Sequence, residues 1–297
     1  MTIIAAGCFV VACCIIIRQI IQDRHTQESL DDLRASVETS GLIREDIEVD
    51  TQIPTDTSQP TADTDAETGT DTSTDADADA GKNSQSTDTE AVANAIPNPY
   101  ADVFASNPDI AGWLTIPDTV IDYPVMWTPE DENYYLYRDV DGSENKNGCL
   151  ILDTDSCVSP LSTNLIIHGH NMRSGAMFGN LTDYEDPDYC ESHKHITLYT
   201  EECQRNYEVI AAFRSQVYKK KDTVFKYYKF FQADTEEEFN DFYQNIKNLS
   251  LYDTGVTAEF GDRFITLSTC VYHVEQGRFV VVAKEVESGD TYLPIQE

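Results

Sequence analysis

The sequence predicts a mainly β domain with peripheral helices, preceded by an apolar segment and a long acidic linker. The composition changes from Asp- and Thr-rich to globular at about residue 97. Short apolar runs separated by turn residues then follow one another, which is typical of a closed β-barrel or a sandwich. The last two runs, 264–270 and 278–284, flank a short polar loop and predict a β-hairpin.

The N-terminal segment, residues 1–21, is predicted to be a transmembrane anchor. Residues 1–17 carry no charge, and apolar residues continue past Arg18. A membrane-spanning helix needs about 20 apolar residues. A cleaved signal peptide is the alternative, although no Ala-x-Ala-type site follows and a charged, polar, helix-like stretch does, at residues 22–37. Arg18 and Arg24 alone would place the following chain inside the cell, whereas the acidic segment downstream favours the outside.

Residues 22–96 are predicted to form an acidic, disordered stalk or linker. Thr, Asp, Ser and Ala dominate residues 55–89. Such a segment buries too little apolar surface to offset the entropy lost on ordering, and its like charges extend it. The net charge of the chain is −33, which argues against nucleic acid as a partner because phosphate binding needs clustered Lys and Arg.

The cysteines indicate neither a zinc ribbon nor a dense disulfide framework, because none has CxxC spacing. Three lie in the apolar N-terminal segment, and five are scattered later in the chain. One or two disulfides are conceivable in an oxidising compartment, and the sequence does not choose among Cys149, Cys157, Cys190 and Cys203.

The predicted domain, residues 97–297, combines strands with a few helices. A helix is predicted from Thr235 to Leu249, because apolar residues recur there at helical spacing and Thr235 with Glu238 forms a capping-box pattern. Residues 176–181 are predicted to be a short helical insert. The strand-like runs are 112–117, 120–126, 134–137, 148–153, 164–168, 196–199, 207–218 and 225–228.

The predicted hairpin brings a thiol and a cation together. Antiparallel pairing places Cys270, which ends the first strand, beside Arg278, which begins the second. A nearby cation lowers a thiol pKa and stabilises developing negative charge. A cysteine nucleophile also needs a proton acceptor and donor. His170 is the candidate, because it follows an apolar strand and Gly169.

Each of these residues also has a simpler interpretation. Cys270 fits a buried small apolar side chain, and Arg278 fits an ion pair with Glu275. His168 and His170 fit half of a metal site, but no further ligand follows at close spacing. The sequence therefore predicts no metal and no cofactor.

Taken together, the motifs resemble those of a known family. Residues 266–270, 278–284 and 167–172 look like the active-site motifs of sortases, and the resemblance covers about residues 97–290. Residues 112–117, 122–125, 135–136 and 177–181 are similar to the class B subgroup. The resemblance implies an eight-stranded sortase-type β-barrel and a cysteine transpeptidase without a cofactor.

The resemblance also implies residue roles. Cys270 would attack the carbonyl of a Thr in the C-terminal sorting motif of a secreted protein. His170 would protonate the leaving amine and later deprotonate the incoming one, while Arg278 would stabilise the oxyanion. Three further residues match positions that line the peptide groove of the family: Leu136, Ser268 and Thr269.

The implied partners are sorting-motif peptides and an amine of a peptidoglycan precursor or a pilin, at a Gram-positive cell surface. The chain departs from the family pattern where Val271 and Tyr272 replace an acidic residue and where Glu132 replaces a frequent Asn. Two alternatives remain at this stage. One is a hydrolytic cysteine peptidase at the cell surface, and the other is a catalytically inactive binding module.

Overall fold

The structure is a computed structural model that describes residues 24, 27–37, 96–272 and 274–293, with the side chains of 287–291 excepted. The predicted membrane anchor (1–21), most of the predicted linker (22–96) and His273 lie outside the described residues. Within the described ranges, no helix is both long enough and apolar enough to cross a membrane.

Eight strands form a closed barrel, which confirms the predicted fold. Around the barrel the order is β1-β2-β3-β4-β7-β8-β6-β5. The pairs β2–β3 and β4–β7 are parallel, and the other neighbours are antiparallel. The strands are β1 (Ile110–Thr115), β2 (Asp122–Met126), β3 (Leu150–Leu152), β4 (Asn164–Gly169), β5 (His195–Tyr199), β6 (Cys203–Gln216), β7 (Phe264–Cys270) and β8 (Gly277–Thr291).

Alternating side chains of β7 divide between two cores. Ile265 and Leu267 belong to the buried cluster inside the barrel. Phe264 belongs to a second cluster on the outer face, which also contains Val280 and Val282 of β8. Since side chains along a strand alternate between faces, Ser268 and Cys270 share the outer face with Phe264. The Cys270 thiol therefore lies on the outer face of the barrel wall.

The described part of the chain has four α-helices around the barrel: α1 (residues 27–37), α2 (Ala101–Ser106), α3 (Pro187–Ser192) and α4 (Glu236–Leu249). The helix predicted at Thr235–Leu249 is confirmed as α4. Thr235 Oγ1 accepts from the backbone N–H of Glu238, whose side chain accepts from the N–H of Thr235. Phe239 and Ile246 of α4 are fully buried on the second core.

Helix α1 confirms the helix-like stretch within residues 22–37 and is a departure from the disorder predicted for residues 22–96 as a whole. Leu30 is only 2% exposed and belongs to the barrel core. The Arg34 Nε donates to Asp122 Oδ2 at 2.7 Å, and its Nη2 donates to the Asp122 carbonyl at 2.7 Å. The packing of its apolar side chains on the barrel was not predicted, because the stretch as a whole is charged and polar.

Three local predictions were wrong. Residues 225–228 form no strand, because the chain turns there into the 3-10 helix Tyr227–Lys229. Residues Tyr134–Tyr137 form a 3-10 helix rather than a strand, because the chain turns there and Leu136 N–H bonds to the carbonyl of Asn133. Residues 176–180 form turns rather than a helix, and Met177 has φ +54°, which a right-handed helix excludes. The described cysteines are all free thiols: Cys149, Cys157, Cys190, Cys203 and Cys270.

Candidate active site

The β7–β8 hairpin pairs the residue that carries the thiol with a residue that carries a guanidinium. Cys270, the last residue of β7, pairs with Arg278, the second residue of β8. Directly opposed residues of an antiparallel pair project to the same face about 5 Å apart at Cβ. The predicted juxtaposition of Cys270 and Arg278 at one end of the sheet is confirmed.

The parallel pairing of β4 with β7 brings the candidate base to the same end. Gly169 is in register with Thr269, so His170 follows β4 at the level where Cys270 ends β7. The Asn171 side-chain amide donates to the Cys270 carbonyl at 2.8 Å, which ties the two strand ends together. A Cβ at Gly169 would lie 2.6 Å from the ring of Phe178, so only glycine permits this close packing.

The ring of His170 is held in a defined orientation. His170 Nε2 lies 2.8 Å from the carbonyl oxygen of Leu136. A carbonyl oxygen only accepts, so Nε2 carries a proton and donates it to this hydrogen bond. The ring also packs against Tyr137, with centroids 5.3 Å apart. Nδ1 is therefore the ring atom available to exchange a proton with substrate.

These residues line one cavity of about 520 Å³. Segments 132–137, 151–155, 168–170 and 227–229 form its walls, together with Val217, Cys270 and Arg278. Such concave sites with a few polar groups are where ligands bind. The further lining residues are Glu132, Asn133, Leu136, Tyr137, Ile151, Asp153, Thr154, Asp155, His168, Gly169, Val217, Tyr227, Tyr228 and Lys229.

The guanidinium of Arg278 is anchored by backbone carbonyls. Its Nη1 donates to the carbonyls of Gln276 and Gly277 at 3.3 and 3.0 Å. No carboxylate of the described residues, Glu275 included, lies within ion-pair distance of it. Its positive charge thus remains available to the cavity. The adjacent N–H of Val271 already donates to the Gly277 carbonyl, which leaves Arg278 as the more available group for a developing oxyanion.

The three residues predicted to line the peptide groove occupy different places. Leu136 lines the cavity. Ser268 and Thr269 are buried, at 1% and 2% exposure, and their side chains bond internally. The Ser268 hydroxyl meets the Tyr227 hydroxyl at 2.8 Å, and the Thr269 hydroxyl donates to the Gly169 carbonyl at 2.7 Å. Their side chains therefore stabilise the cavity wall without lining the cavity itself.

Tyr227 is a site residue that sequence reasoning missed. Burial, chiefly, raises the pKa of Tyr227 to about 12, although its bond to Ser268 and the nearby Arg278 oppose the rise. The phenol therefore stays neutral and keeps its hydrogen bond. Asn171 was also missed as a positioning residue. It lies in the quoted motif, but its bond to a backbone carbonyl 99 residues away leaves no sequence pattern.

His168 has a different partner from His170. Its Nε2 lies 3.0 Å from Asp153 Oδ2, and both residues line the cavity. No group of three or more His, Cys, Asp or Glu side chains arranged to hold a metal ion occurs among the described residues. The geometry thus places His168 in a side-chain pair on the cavity wall.

The environment distinguishes Cys270 from three other thiols. Burial raises the pKa of the Cys149, Cys190 and Cys203 thiols, so they remain protonated and unreactive at neutral pH. Cys270 is half-buried, lines the cavity and is paired with Arg278 across the β7–β8 hairpin. An acyl transfer through a thioester, with His170 moving protons, is the chemistry that this arrangement supports.

Comparisons with known proteins agree with this geometry. The sortase-domain family model matches residues 114–286. Sortase B of Listeria monocytogenes is 34% identical over 202 residues, which cover 67% of this chain and 78% of that protein. A crystal structure of Bacillus anthracis sortase B in complex with AAEK1 is 31% identical, with a TM-score of 0.56 over 64% of this chain and 84% of that one. A Staphylococcus aureus sortase B–substrate complex is 26% identical, with a TM-score of 0.58 over 66% and 88% of the two chains.

Proposed function

This chain belongs to the class B sortases, a family of cysteine transpeptidases, and we propose that it transfers the acyl part of a C-terminal sorting motif to an amine at the cell surface. One observation carries the proposal. Cys270, His170 and Arg278, which come from three separate segments, line a single cavity. A nucleophile, a proton carrier and a fixed cation are the groups that acyl transfer requires.

In the first half-reaction, the Cys270 thiolate attacks the carbonyl carbon of the scissile Thr residue. The carbonyl π-electrons move to oxygen, and the resulting oxyanion is stabilised by Arg278. His170, protonated on both ring nitrogens, then gives its Nδ1 proton to the leaving amine. The C–N bond breaks, and a thioester remains on Cys270.

In the second half-reaction, an incoming amine attacks the thioester carbonyl. Neutral His170 takes the surplus proton of the amine at Nδ1, while Nε2–H stays bound to the Leu136 carbonyl. The C–S bond breaks, and the new amide leaves with the thiolate restored. The same ring atom therefore serves both proton transfers, which accounts for the rigid hold on Nε2.

The proposed substrate is a sorting-motif peptide of a secreted protein. The solved Staphylococcus aureus sortase B–substrate complex, which has a similar fold, supports the proposal that this chain also binds a sortase substrate. Leu136 is proposed to contact the peptide directly, and Ser268 and Thr269 to contribute through the wall that they brace. Glu132 also lines the cavity, where a carboxylate favours a cationic or hydrogen-bond-donating side chain of the peptide.

The proposed acceptor is an amine of a peptidoglycan precursor or of a pilin. We further propose that residues 1–21 anchor the chain in the membrane, as a single pass, and that the catalytic domain stands outside a Gram-positive cell. The uncharged run of residues 1–17 supports the anchor. The long acidic sequence after it supports a tether that gives the domain reach.

The test is peptide cleavage with product analysis. Cys270→Ala should abolish cleavage of sorting-motif peptides, because no other described thiol lines the cavity. Cys157→Ala is the matched control, since that half-exposed thiol lies outside the cavity and should be dispensable. Full activity of Cys270→Ala would disprove the proposal.

The same assay separates transfer from hydrolysis. With an added amine acceptor, the wild-type chain should yield a new amide at the expense of the free acid. Free acid as the sole product at every acceptor concentration would instead identify a hydrolytic cysteine peptidase.

A further inference from the structure

The loop that follows β6 contains several lysines close together in the sequence. Residues 217–226, called here the lysine loop, contain Lys219, Lys220, Lys221 and Lys226 with a single carboxylate, Asp222. The whole chain has 20 Lys and Arg residues and a net charge of −33. A compact basic surface therefore stands out against an acidic protein.

Three of these lysines are exposed and form no ion pair within the described part of the chain. Lys219, Lys220 and Lys221 are exposed, and no carboxylate of the described residues lies within ion-pair distance of their ammonium groups. Most other described lysines do have such partners: Lys194, Lys229, Lys247 and Lys284. Three adjacent unpaired cations repel one another, and an external anionic partner relieves that repulsion.

The loop is held in shape by its own backbone. The Lys226 ammonium donates to the Asp222 carbonyl at 2.8 Å and to the Lys220 carbonyl at 3.4 Å. The Asp222 carboxylate is engaged by the N–H of Lys219 at 3.0 Å. These bonds use main-chain groups of Lys219 and Lys220. The loop backbone is therefore already fixed, and the two ammonium groups remain available to bind a partner.

Apolar side chains flank the lysines. Val217 is 40% exposed and Val224 is 48% exposed. Exposed aliphatic residues beside lysines suit the boundary between lipid headgroups and acyl chains, where the apolar part inserts and the ammonium groups meet phosphates. A soluble polyanion would use the lysines alone and would leave the valines in water.

We propose that the lysine loop docks on an anionic phospholipid surface. Each lysine near such a surface strengthens binding about fivefold, and the acidic residues elsewhere are screened beyond about 8 Å at physiological salt. The loop borders the catalytic cavity through Val217 and through Tyr228, whose hydroxyl accepts from the N–H of Tyr218 at 2.8 Å. Docking therefore holds the cavity mouth at headgroup level. This inference goes beyond the proposed reaction and does not depend on it, but it rests on the proposed membrane anchor.

The test is lysine footprinting of the full chain in proteoliposomes. The protein is treated with a water-soluble amine-acylating reagent in two kinds of proteoliposome. One has bilayers of phosphatidylcholine alone, and the other also contains phosphatidylglycerol. Mass spectrometry should find Lys219 and Lys221 acylated about fivefold more slowly, or slower still, in the anionic bilayers. Lys146, which is exposed elsewhere, should react equally in both. High salt should abolish the difference.

Substitutions provide matched controls. Lys220→Gln should weaken the protection of Lys219 and Lys221 about fivefold, whereas Lys220→Arg and Lys146→Gln should preserve it. Cleavage of soluble peptides should be unchanged in Lys220→Gln, since this side chain does not line the cavity.

Three results would overturn the proposal. The first is equal acylation of Lys219 and Lys221 in both bilayers. The second is that soluble polyphosphate, added to neutral bilayers, protects Lys219 and Lys221 as well as the anionic bilayers do. This would identify an anionic polymer as the partner. The third is loss of soluble-peptide cleavage in Lys220→Gln, which would assign the loop to the catalytic groove.

Discussion

At the scale of single residues, His170 is defined by what its ring touches. The Leu136 carbonyl fixes the proton on Nε2, and Tyr137 limits tilting of the ring. His168, two residues earlier, is bound by the Asp153 carboxylate instead. Two histidines in one short motif therefore have separate environments, and only one of them follows the strand end beside Cys270.

His170→Ala should reduce kcat/KM for peptide cleavage by about 100-fold to 10,000-fold, because the variant loses its general acid and base. His168→Ala should have a mild effect and serves as the neighbouring control. His273→Ala, at a position outside the described residues, should also be mild. A severe loss in His273→Ala together with an active His170→Ala would show that the base has been misassigned.

Gly148 supports the site without lining it. Its φ is +60°, and a Cβ there would lie 2.2 Å from the Leu136 carbonyl oxygen, the atom that holds His170. Gly148→Ala should therefore lower kcat for peptide cleavage by about 10-fold to 100-fold through displacement of this oxygen.

Gly255→Ala is the matched control for Gly148→Ala. Gly255 has φ +77°, but a Cβ there would meet nothing within 4 Å. Both variants carry backbone strain of about 1–2 kcal/mol, and only Gly148→Ala should lose activity beyond its loss of stability. Equal kcat values in the two variants would contradict the role assigned to the Leu136 carbonyl.

At the scale of elements, helix α4 stabilises the barrel on the face that carries the second core. Its N-terminus depends on the reciprocal bonds between Thr235 and Glu238. Phe239 stacks on Phe264 of β7, with ring centroids 5.4 Å apart. The helix thus covers the strand that leads to Cys270.

Thr235→Ala should lower the free energy of unfolding by about 1 kcal/mol, because the N–H of Glu238 loses its cap. The midpoint of urea unfolding measures this. Glu238→Gln should cost less, since glutamine also completes a capping box. An unchanged midpoint in Thr235→Ala would show that the cap adds nothing to packing of α4.

Local sequence patterns predicted those parts of the fold in which residues that are close in the sequence also contact one another. The hairpin register follows from two apolar runs and a short loop, so the Cys270–Arg278 pair could be predicted. The capping box and apolar spacing likewise predicted α4. His170 could be proposed because a strand visibly ends before it.

Contacts made by backbone atoms over long separations could not be predicted. The Leu136 carbonyl holds His170 across 34 residues, and any residue type would supply that oxygen. Helix α1 is a different case, because Leu30, Leu33 and Val37 recur near helical spacing. The sequence therefore indicated a helix within residues 22–37, but the acidic composition of residues 22–96 gave no sign that its apolar side chains pack on the barrel.

At the scale of the whole molecule, the barrel closure assembles the site. The parallel β4–β7 pair carries His170 to the rim, and the antiparallel β7–β8 pair carries Arg278 there. Cys270 ends the strand shared by both pairs. Since every strand of the barrel has two partners, the three groups are fixed relative to one another before substrate binds.

The central claim is that Cys270 forms the covalent intermediate. Its most direct test is mass spectrometry of the full-length chain after a brief reaction with a library of sorting-motif peptides in the absence of an amine. The account predicts one added acyl group per chain, attached to Cys270 as a thioester and released as a new amide when an amine is supplied. An acyl group on another residue, or peptide cleavage without any thioester, would contradict it.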